Sequence, residues 1–217
     1  MSSASPETAQ SATWKGQFGR DYTDRNTWDP VELDALYLKN YGISRRALNH
    51  DFLHDIPKDT SFLEVGCNTG NQLLLLQAMG FSNLSGIELQ PYAFALAQKR
   101  LARVSLALGS VLSLPYEDAS FNVVFTSGVL IHISPDDLPR ALDEIYRCSS
   151  CYIWGLEYFS STEVEIPYRN HSHLLWKMDY ARRYLERFKD LELVREQRLP
   201  YLQSDNQDTV FLLKKTL

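Results

Sequence analysis

The chain lacks the features that mark several large classes of protein. It has only three cysteines, and Cys148-x-x-Cys151 has no second pair to complete a metal site, so we expect reduced, buried thiols. Acidic residues outnumber basic ones by 27 to 22, which argues against a partner held by nucleic-acid phosphates. The polar start contains no leader-like segment, and no apolar run approaches the roughly 20 residues of a membrane span. The sequence therefore predicts a cytoplasmic protein with neither a nucleic-acid nor a membrane partner.

The apolar segments predict one main domain behind a short N-terminal region. Residues 1–12 are rich in Ser, Ala and Thr, and we expect them to be disordered. Residues 13–57 are predicted to form a cap segment, in which helices begin at Pro30 and after Ser44. The part of this segment before Pro30 mixes aromatic and charged residues without a clear helical or strand period. Residues 58–217 would then form the main domain.

Beyond residue 57, short apolar runs alternate with amphipathic stretches. Strands are predicted near 61–66, 84–88, 105–109, 121–126, 151–157, 191–198 and 208–214, and helices near 70–79, 91–102, 135–147 and 174–188. This alternation implies right-handed crossovers and a parallel sheet covered on both faces. The polar loop between the last two strands indicates an antiparallel hairpin. We therefore predict an α/β fold, with a doubly wound, mostly parallel, seven-stranded sheet and an N-terminal helical cap.

The segment FLEVGCNTGN, residues 62–71, joins a predicted strand to a helix and carries an acid at the strand end. Two ligand classes compete for such a glycine turn when another acid, here Glu88, follows about twenty residues later. A dinucleotide places its pyrophosphate over the turn, which requires G-x-G-x-x-G and no negative charge close by. This chain has Glu64 close by and Asn68 in place of a glycine. Both residues count against a nicotinamide-dependent oxidoreductase. We keep that activity as the second hypothesis for the function, behind the one developed next.

A carboxylate beneath the turn would repel phosphate but attract an ammonium or a sulfonium group. S-adenosylmethionine carries both cations, together with a ribose for Glu88. Gly66 and Gly70 keep the turn free of side chains, and Asn68 tolerates left-handed backbone angles better than most residues. The residues therefore favour S-adenosylmethionine as the cofactor.

Three successive stretches resemble the motifs of class I S-adenosylmethionine-dependent methyltransferases. They are LEVGCNTGNQLLLL, GIELQPYAFALAQKR and GSVLSLPYEDASFNVVFTSGVLIHISPDDLPRALDEIYR, which together span roughly residues 60 to 155. The stretches WKGQFGRDYTDRN, FTSGVLIHISPDDL and YIWGLEYFS are also similar to a narrower group, the small bacterial methyltransferases associated with pseudaminic acid biosynthesis. The wider resemblance implies the fold and the cofactor predicted above.

The resemblance also implies which residues hold the cofactor. Glu64, Gly66, Asn68 and Gly70 would line its methionyl end, and Glu88 and Leu89 its ribose. Ser110, Val111 and Leu112 would flank the adenine, and Thr126, Ser127 and Gly128 would pass close to the sulfonium. Many members have an acid near Ser110, and without it adenine recognition would rest on the hydroxyl and on backbone groups. Tyr22 and Arg25 are candidates for closing over the cofactor, with Arg25 facing its carboxylate. The alternative for this pair is surface packing.

Methyl transfer is an in-line displacement that requires alignment and no nucleophilic residue. His132 is a candidate base after the fourth strand, although a histidine there can also simply pack and bond the loop. Glu157, at the end of the fifth strand, is a candidate for holding a cationic amine. Its alternative is a salt bridge with Arg169 or Lys177.

Aromatic and histidine side chains after the fifth strand are candidates for contact with the methyl acceptor. These are Tyr158, Tyr168, His171 and Trp176, for which core packing is the alternative. The spacing His171-x-His173 resembles a metal motif, but no carboxylate-rich partner motif accompanies it, so we predict no metal. Motifs for nucleic-acid base methylation are missing too. We therefore expect an amine or hydroxyl of a small polar metabolite as the acceptor; a catalytically silent partner protein is the third hypothesis.

Overall fold

A computed structural model describes residues 8–216 of the chain. Its main strands are Ser61–Val65 (β1), Asn83–Glu88 (β2), Ser105–Leu108 (β3), Phe121–Ser127 (β4), Ser149–Tyr158 (β5), Leu191–Pro200 (β8) and Gln207–Lys215 (β9). The helices are Ala9–Lys15 (α1), Gln17–Arg25 (α2), Pro30–Tyr41 (α3), Arg45–Leu53 (α4), Asn71–Ala78 (α5), Pro91–Arg100 (α6), Leu138–Cys148 (α7) and Tyr180–Arg187 (α8). Val164–Glu165 (β6) and Trp176–Lys177 (β7) pair as a separate small sheet.

The seven main strands form one sheet in the order β3-β2-β1-β4-β5-β9-β8. The first five strands run parallel, and β9 pairs antiparallel with both β5 and β8. This is the predicted mostly parallel sheet closed by an antiparallel hairpin, and the prediction is confirmed. The strand order reverses between β1 and β4, which is where ligands bind in open sheets of this kind.

Each face of the sheet is covered by helices. On one face α7 buries Leu138, Ala141, Leu142 and Ile145, the stripe that its sequence spacing indicates. On the other face the core joins α5 and α6 to α3 and α4. The two later helices of the predicted cap therefore share a core with the main domain. Their starts are as predicted, because Asp29 and Ser44 cap them with side-chain hydrogen bonds.

The N-terminal region differs from the prediction. Residues 1–7 lie outside the described residues, but the disorder predicted up to residue 12 is wrong where the structure describes it, because Thr8 caps helix α1. Helix α2 follows in the stretch without a clear period. Its buried residues are Gly19 and Thr23, which are too small to produce an apolar pattern in the sequence.

The segment after β5 also departs from expectation. The helix predicted over 174–188 begins only at Tyr180, because Trp176–Lys177 form the strand β7. A two-residue strand is too short to show a period in the sequence. The three cysteines are free; Cys67 and Cys148 are buried and Cys151 is half-buried. Among the helices of residues 8–216, none combines the length and hydropathy needed to cross a membrane.

Candidate functional site

A cavity of about 560 Å³ lies at the carboxyl ends of β1, β2 and β4, where the strand order reverses. The predicted cofactor residues that line it are Tyr22, Glu64, Gly66, Asn68, Glu88, Leu89, Ser110, Val111, Leu112, Ser127 and Gly128. Gly70 begins helix α5 and Thr126 is buried in β4, and neither is part of the lining. The structure thus brings most of the predicted cofactor set to one place.

The turn after β1 depends on backbone angles that few residues adopt. Gly66, Asn68 and Gly70 have φ values of +71°, +48° and +79°, all in the left-handed region. A Cβ atom on Gly66 would lie 2.7 Å from Cγ2 of Val129, so the position also requires the absence of a side chain. Asn68 takes the angle that the sequence analysis assigned to it. The turn can therefore pass close to a ligand with its backbone.

The Glu88 carboxylate ties the turns after β1 and β2 together. One oxygen accepts a hydrogen bond from the backbone N–H of Asn68 and the other from that of Gln90, both at 2.7 Å. Burial raises the pKa of Glu88, and these hydrogen bonds oppose the rise. Each oxygen keeps a second lone pair, which can accept a hydrogen bond from a hydroxyl group of a ligand. The carboxylate is thus held in a fixed orientation at the cavity wall.

Glu64 is the second buried carboxylate of the cavity. It is only 4% exposed, and its Oε2 has no hydrogen-bond partner among the described residues. Burial raises its pKa well above the usual range, while the positive charge of Arg45 opposes that rise. An open carboxylate oxygen in a buried site favours a cationic partner. The residues present therefore fit a cofactor that carries positive charge, and they fit a diphosphate poorly.

The arginine of the site is not the predicted one. Arg25 is exposed and lies outside the cavity lining, because it occupies the outer side of α2. Arg45, from α4, is buried and lines the cavity. Its Nε donates to Asn49 and its Nη1 donates to the hydroxyl of Tyr37. The sequence analysis missed Arg45 because nothing in the pattern of α4 places this residue at a sheet end.

Glu157 does not face the cavity. It is fully buried, and its two oxygens accept hydrogen bonds from the backbone N–H groups of Val129 at 3.2 Å and Ile131 at 3.3 Å. Burial raises its pKa to about 7. Both predicted roles, amine binding and a salt bridge with Arg169 or Lys177, are therefore wrong. Its side chain instead holds the loop that follows β4.

His132 belongs to this loop and lines the cavity. Its Nδ1 lies 2.7 Å from the carbonyl oxygen of Leu174, which fixes Nδ1 as the donor and leaves Nε2 with the lone pair. Burial lowers the pKa of His132 to about 4, so the ring is neutral at physiological pH. The ring also contacts Trp14 at a centroid distance of 4.4 Å. A neutral imidazole with an open lone pair can accept a proton or a hydrogen bond.

The N-terminal helices cover one side of the cavity. Gln90 donates to the carbonyl oxygens of residues 14–16, at the junction of α1 and α2. Gln10 accepts a hydrogen bond from the backbone N–H of Ser134 at 3.1 Å. These contacts place Trp14 and Tyr22 against the cavity. Tyr22, predicted to close over the cofactor, is thus in the lining, and burial raises its pKa.

The predicted acceptor residues divide into two pairs. Tyr158 and Tyr168 line the cavity. His171 is exposed, with its ring 5.2 Å from that of Phe18, and Trp176 packs in the core outside the main cavity, so the structure does not place either residue as predicted. Among residues 8–216, no group of three potential ligands is arranged to hold a metal ion.

Four further residues line the cavity beyond the predicted set and lie near Tyr158. They are Tyr37, Tyr41, Tyr201 and Asp208. They come from α3, from the loop after β8 and from the start of β9. No motif joins these distant segments, and the sequence carried no signal that would group them.

Comparison with known proteins gives a family match for the central part of the chain. Residues 62–150 match the family described as "Methyltransferase domain". The chain is 31% identical over 131 residues to human EEF1A lysine methyltransferase 2, a match that covers 52% of this chain and 56% of that protein. The chain thus spans little more than half the length of this relative.

Solved structures share the fold over a larger part of the chain. A Burkholderia thailandensis 1,6-didemethyltoxoflavin-N1-methyltransferase, with its substrate and S-adenosylhomocysteine bound, has a TM-score of 0.72 at 19% identity. The similarity covers 100% of this chain and 93% of that one. The [4+2]-cyclase SpnF has a TM-score of 0.65 at 16% identity and covers 79% and 80% of the two chains. Residues 62–150 thus match a methyltransferase-domain family, and the chain shares its fold with solved methyltransferases, one of which holds S-adenosylhomocysteine.

Proposed function

We propose that the protein transfers a methyl group from S-adenosylmethionine to an amine or hydroxyl of a small polar metabolite. The observation that carries this proposal is the pair of buried carboxylates, Glu64 and Glu88, at adjacent strand ends of one cavity. Glu64 offers an unpartnered oxygen to a cation, and Glu88 offers oriented lone pairs to ribose hydroxyls. The Val111 and Leu112 side chains form the apolar part of the lining that suits adenine.

When bound, the cofactor supplies an activated methyl group on a positively charged sulfur. The chain's own residues bind, orient and shield the reactants. The Glu157 carboxylate fixes the loop that carries Gly128 and Val129, so the cavity wall between the two reactants is held in place. Trp14 and Tyr22 exclude water from that side. His132 Nε2 can accept the proton that an amine or hydroxyl must lose.

The size of the cavity supports a small acceptor. Its volume of about 560 Å³ is shared by cofactor and acceptor. Small-molecule sites commonly measure about 300–1,000 Å³, so little room remains for the second reactant. The human relative is a lysine methyltransferase and the Burkholderia enzyme an N1-methyltransferase, and both support a nitrogen acceptor. The narrower similarity to methyltransferases associated with pseudaminic acid biosynthesis favours a polar, amine-bearing metabolite.

A labelling experiment tests the proposal. The protein is incubated with S-adenosylmethionine carrying a deuterated methyl group and with a pooled extract of small metabolites, and the products are analysed by mass spectrometry. We expect a small molecule to gain the label, and we expect no gain with the Glu88→Gln variant. Appearance of the label only in macromolecules, or the same label gain with Glu88→Gln, would contradict the proposal.

A further inference from the structure

The cavity extends beyond the cofactor residues, across the ends of β5 and β9. We call this part the acceptor compartment and define it by Tyr37, Tyr41, Arg45, Tyr158, Tyr201 and Asp208. The β5–β9 register sets Asp208 directly beside Tyr158. Helix α3 brings Tyr37 and Tyr41 to the same place. The compartment thus combines four tyrosines with one carboxylate and one guanidinium.

Asp208 is the only acidic residue of this compartment, and its carboxyl group is incompletely hydrogen-bonded. It is 2% exposed, and its Oδ2 accepts hydrogen bonds from Tyr41 at 2.6 Å and Tyr201 at 3.4 Å. Its Oδ1 has no hydrogen-bond partner among the described residues. An open oxygen on a buried carboxylate carries a desolvation cost that a bound donor would offset. The missing partner is therefore a donor, and a cationic donor is favoured over a neutral one.

The surrounding rings favour the same chemistry. The ring centroids of Tyr41 and Tyr201 are 4.7 Å apart, and those of Tyr158 and Tyr201 are 6.4 Å apart, in both cases edge to face. The Lys177 ammonium already lies 5.3 Å from the Tyr158 ring centroid. Tyrosine faces attract cations, most strongly where water is excluded. The cluster is therefore suited to an alkylammonium group.

The positive groups nearby are directed to other partners. Arg45 donates to Asn49 and Tyr37, and its charge opposes the rise in the pKa of Glu64. Lys177 donates to Asn206. Among the described residues, neither cation forms a hydrogen bond or an ion pair with the open Oδ1 of Asp208. That oxygen is therefore left without a hydrogen-bond partner from the described residues.

The sheet sets how far this carboxylate lies from the loop after β4. Asp208 is on β9, which is separated from β4 by β5. Ser127 pairs with Leu156, which pairs with Val210, two residues from Asp208 along β9. Two strand spacings of about 4.8 Å and two residues of about 3.4 Å therefore place Asp208 about 12 Å from Ser127 across the sheet. A group bound at Asp208 is therefore several bonds away from an atom next to Gly128. The acceptor would be an extended molecule with one end at each place.

We propose that Asp208, together with Tyr41, Tyr158 and Tyr201, binds a protonated aliphatic amine at the end of the methyl acceptor distal to the methylated atom. This inference rests on the proposed function and narrows its substrate class to molecules that carry such an amine. The geometry makes Asp208 a specificity-determining residue that takes no part in cofactor binding. The rings and the unpartnered oxygen both favour a cationic group at this end and disfavour an anionic one.

Calorimetry with matched probes tests this inference. The protein is first saturated with S-adenosylhomocysteine, so that the cofactor half is occupied, and is then titrated with 6-amino-1-hexanol or with hexane-1,6-diol. These probes have the same length and differ only in the cationic group. We expect the amine to bind at least about tenfold more tightly than the diol. We expect this preference to fall below about twofold in Asp208→Asn, which keeps the shape but removes the charge.

Two controls separate the possible failures. Asp205→Asn, an exposed position on the same hairpin, should keep the full preference for the amine. Binding of S-adenosylhomocysteine by Asp208→Asn, with unchanged affinity, shows that this variant is folded. Equal binding of amine and diol to the wild type, or a preference retained in Asp208→Asn, would overturn the inference. Failure of S-adenosylhomocysteine to bind the wild type would instead contradict the proposed function.

Discussion

The two halves of the cavity are built in different ways. In the cofactor half, backbone turns after consecutive strands form most of the cavity wall. Glu88 fixes two of these turns by accepting backbone hydrogen bonds. In the acceptor compartment, side chains from α3, α4 and the β8–β9 hairpin converge without such backbone contacts. The first half tolerates few substitutions, because each changes the path of the chain. The second can change its ligand through single side chains while the fold is kept.

The largest effect is expected in the cofactor half, for Glu88→Gln. An amide can accept only one of the two backbone hydrogen bonds, so one buried N–H loses its acceptor and the ribose loses an anionic one. Affinity for S-adenosylhomocysteine should fall by about 100-fold, or about 2.8 kcal/mol. Calorimetry measures the change, with exposed Glu192→Gln as the control. A loss of less than about fivefold, or about 1 kcal/mol, would mean that the carboxylate does not organise this half.

The next effect concerns the turn after β1, for which Gly66→Ala and Gly80→Ala form a matched pair. Both glycines have positive φ, but an added Cβ at Gly66 meets Val129 at 2.7 Å while one at Gly80 meets nothing within 4 Å. We expect Gly80→Ala to destabilise the fold by about 1 kcal/mol, from backbone strain alone. Gly66→Ala should cost about 1–3 kcal/mol more and should also weaken cofactor binding. Chemical denaturation measures both, and equal losses would argue against close approach at Gly66.

In the acceptor compartment, the Asp208 carboxylate should make stability depend on pH. Burial raises its pKa to about 7 in the folded protein, against a value near 3.8 when unfolded. Between these values the folded state binds more protons, so stability falls as pH rises. The groups facing this carboxylate are Tyr37, Tyr41, Tyr158, Tyr201, Arg45 and Lys177. They are the same in the wild type and in an Asp208→Asn variant, so their own titration cancels when the two are compared.

The measurement is the free energy of unfolding of the wild type minus that of Asp208→Asn, at a series of pH values. This difference should decrease as pH is raised from about 4 to about 7. A difference that grows over the same interval would mean that the carboxylate is paired, and the case for an open oxygen would fail.

The smallest expected effect concerns the NMR signals of the His132 ring, which should not shift with pH. His132 lines the cavity, and burial lowers its pKa to about 4. Its ring signals in the NMR spectrum should stay constant from pH 8 to about pH 5. Because the unfolded ring binds a proton more readily, stability should fall as pH drops from 6.5 towards 4. A titration midpoint of the His132 signals near pH 6.5 would show that the ring is solvated. It would also contradict the hydrogen bond from Nδ1 to Leu174.

What the sequence could predict follows the same division. Glu64 and Glu88 lie at the ends of apolar strands, and Gly66 and Asn68 lie in the turn after the first of them, so the strand pattern alone placed these residues near each other. Arg45 and Asp208 are single charges in a helix and a hairpin, and only the packing of those elements brings them to the sheet edge. The path of the loop after β4 could not be predicted from the sequence either. Because of that path, Glu157 accepts hydrogen bonds from backbone N–H groups of the loop, where a contact with the amine was expected.

Calorimetric titration of the wild type with S-adenosylhomocysteine and, separately, with NAD tests the central claim most directly. That claim is that the buried carboxylates of the cofactor half select a cofactor that carries a cationic ammonium group and exclude a diphosphate. We expect binding of S-adenosylhomocysteine with micromolar or better affinity and no detectable binding of NAD. Comparable binding of NAD, in a form that competes with S-adenosylhomocysteine, would contradict it.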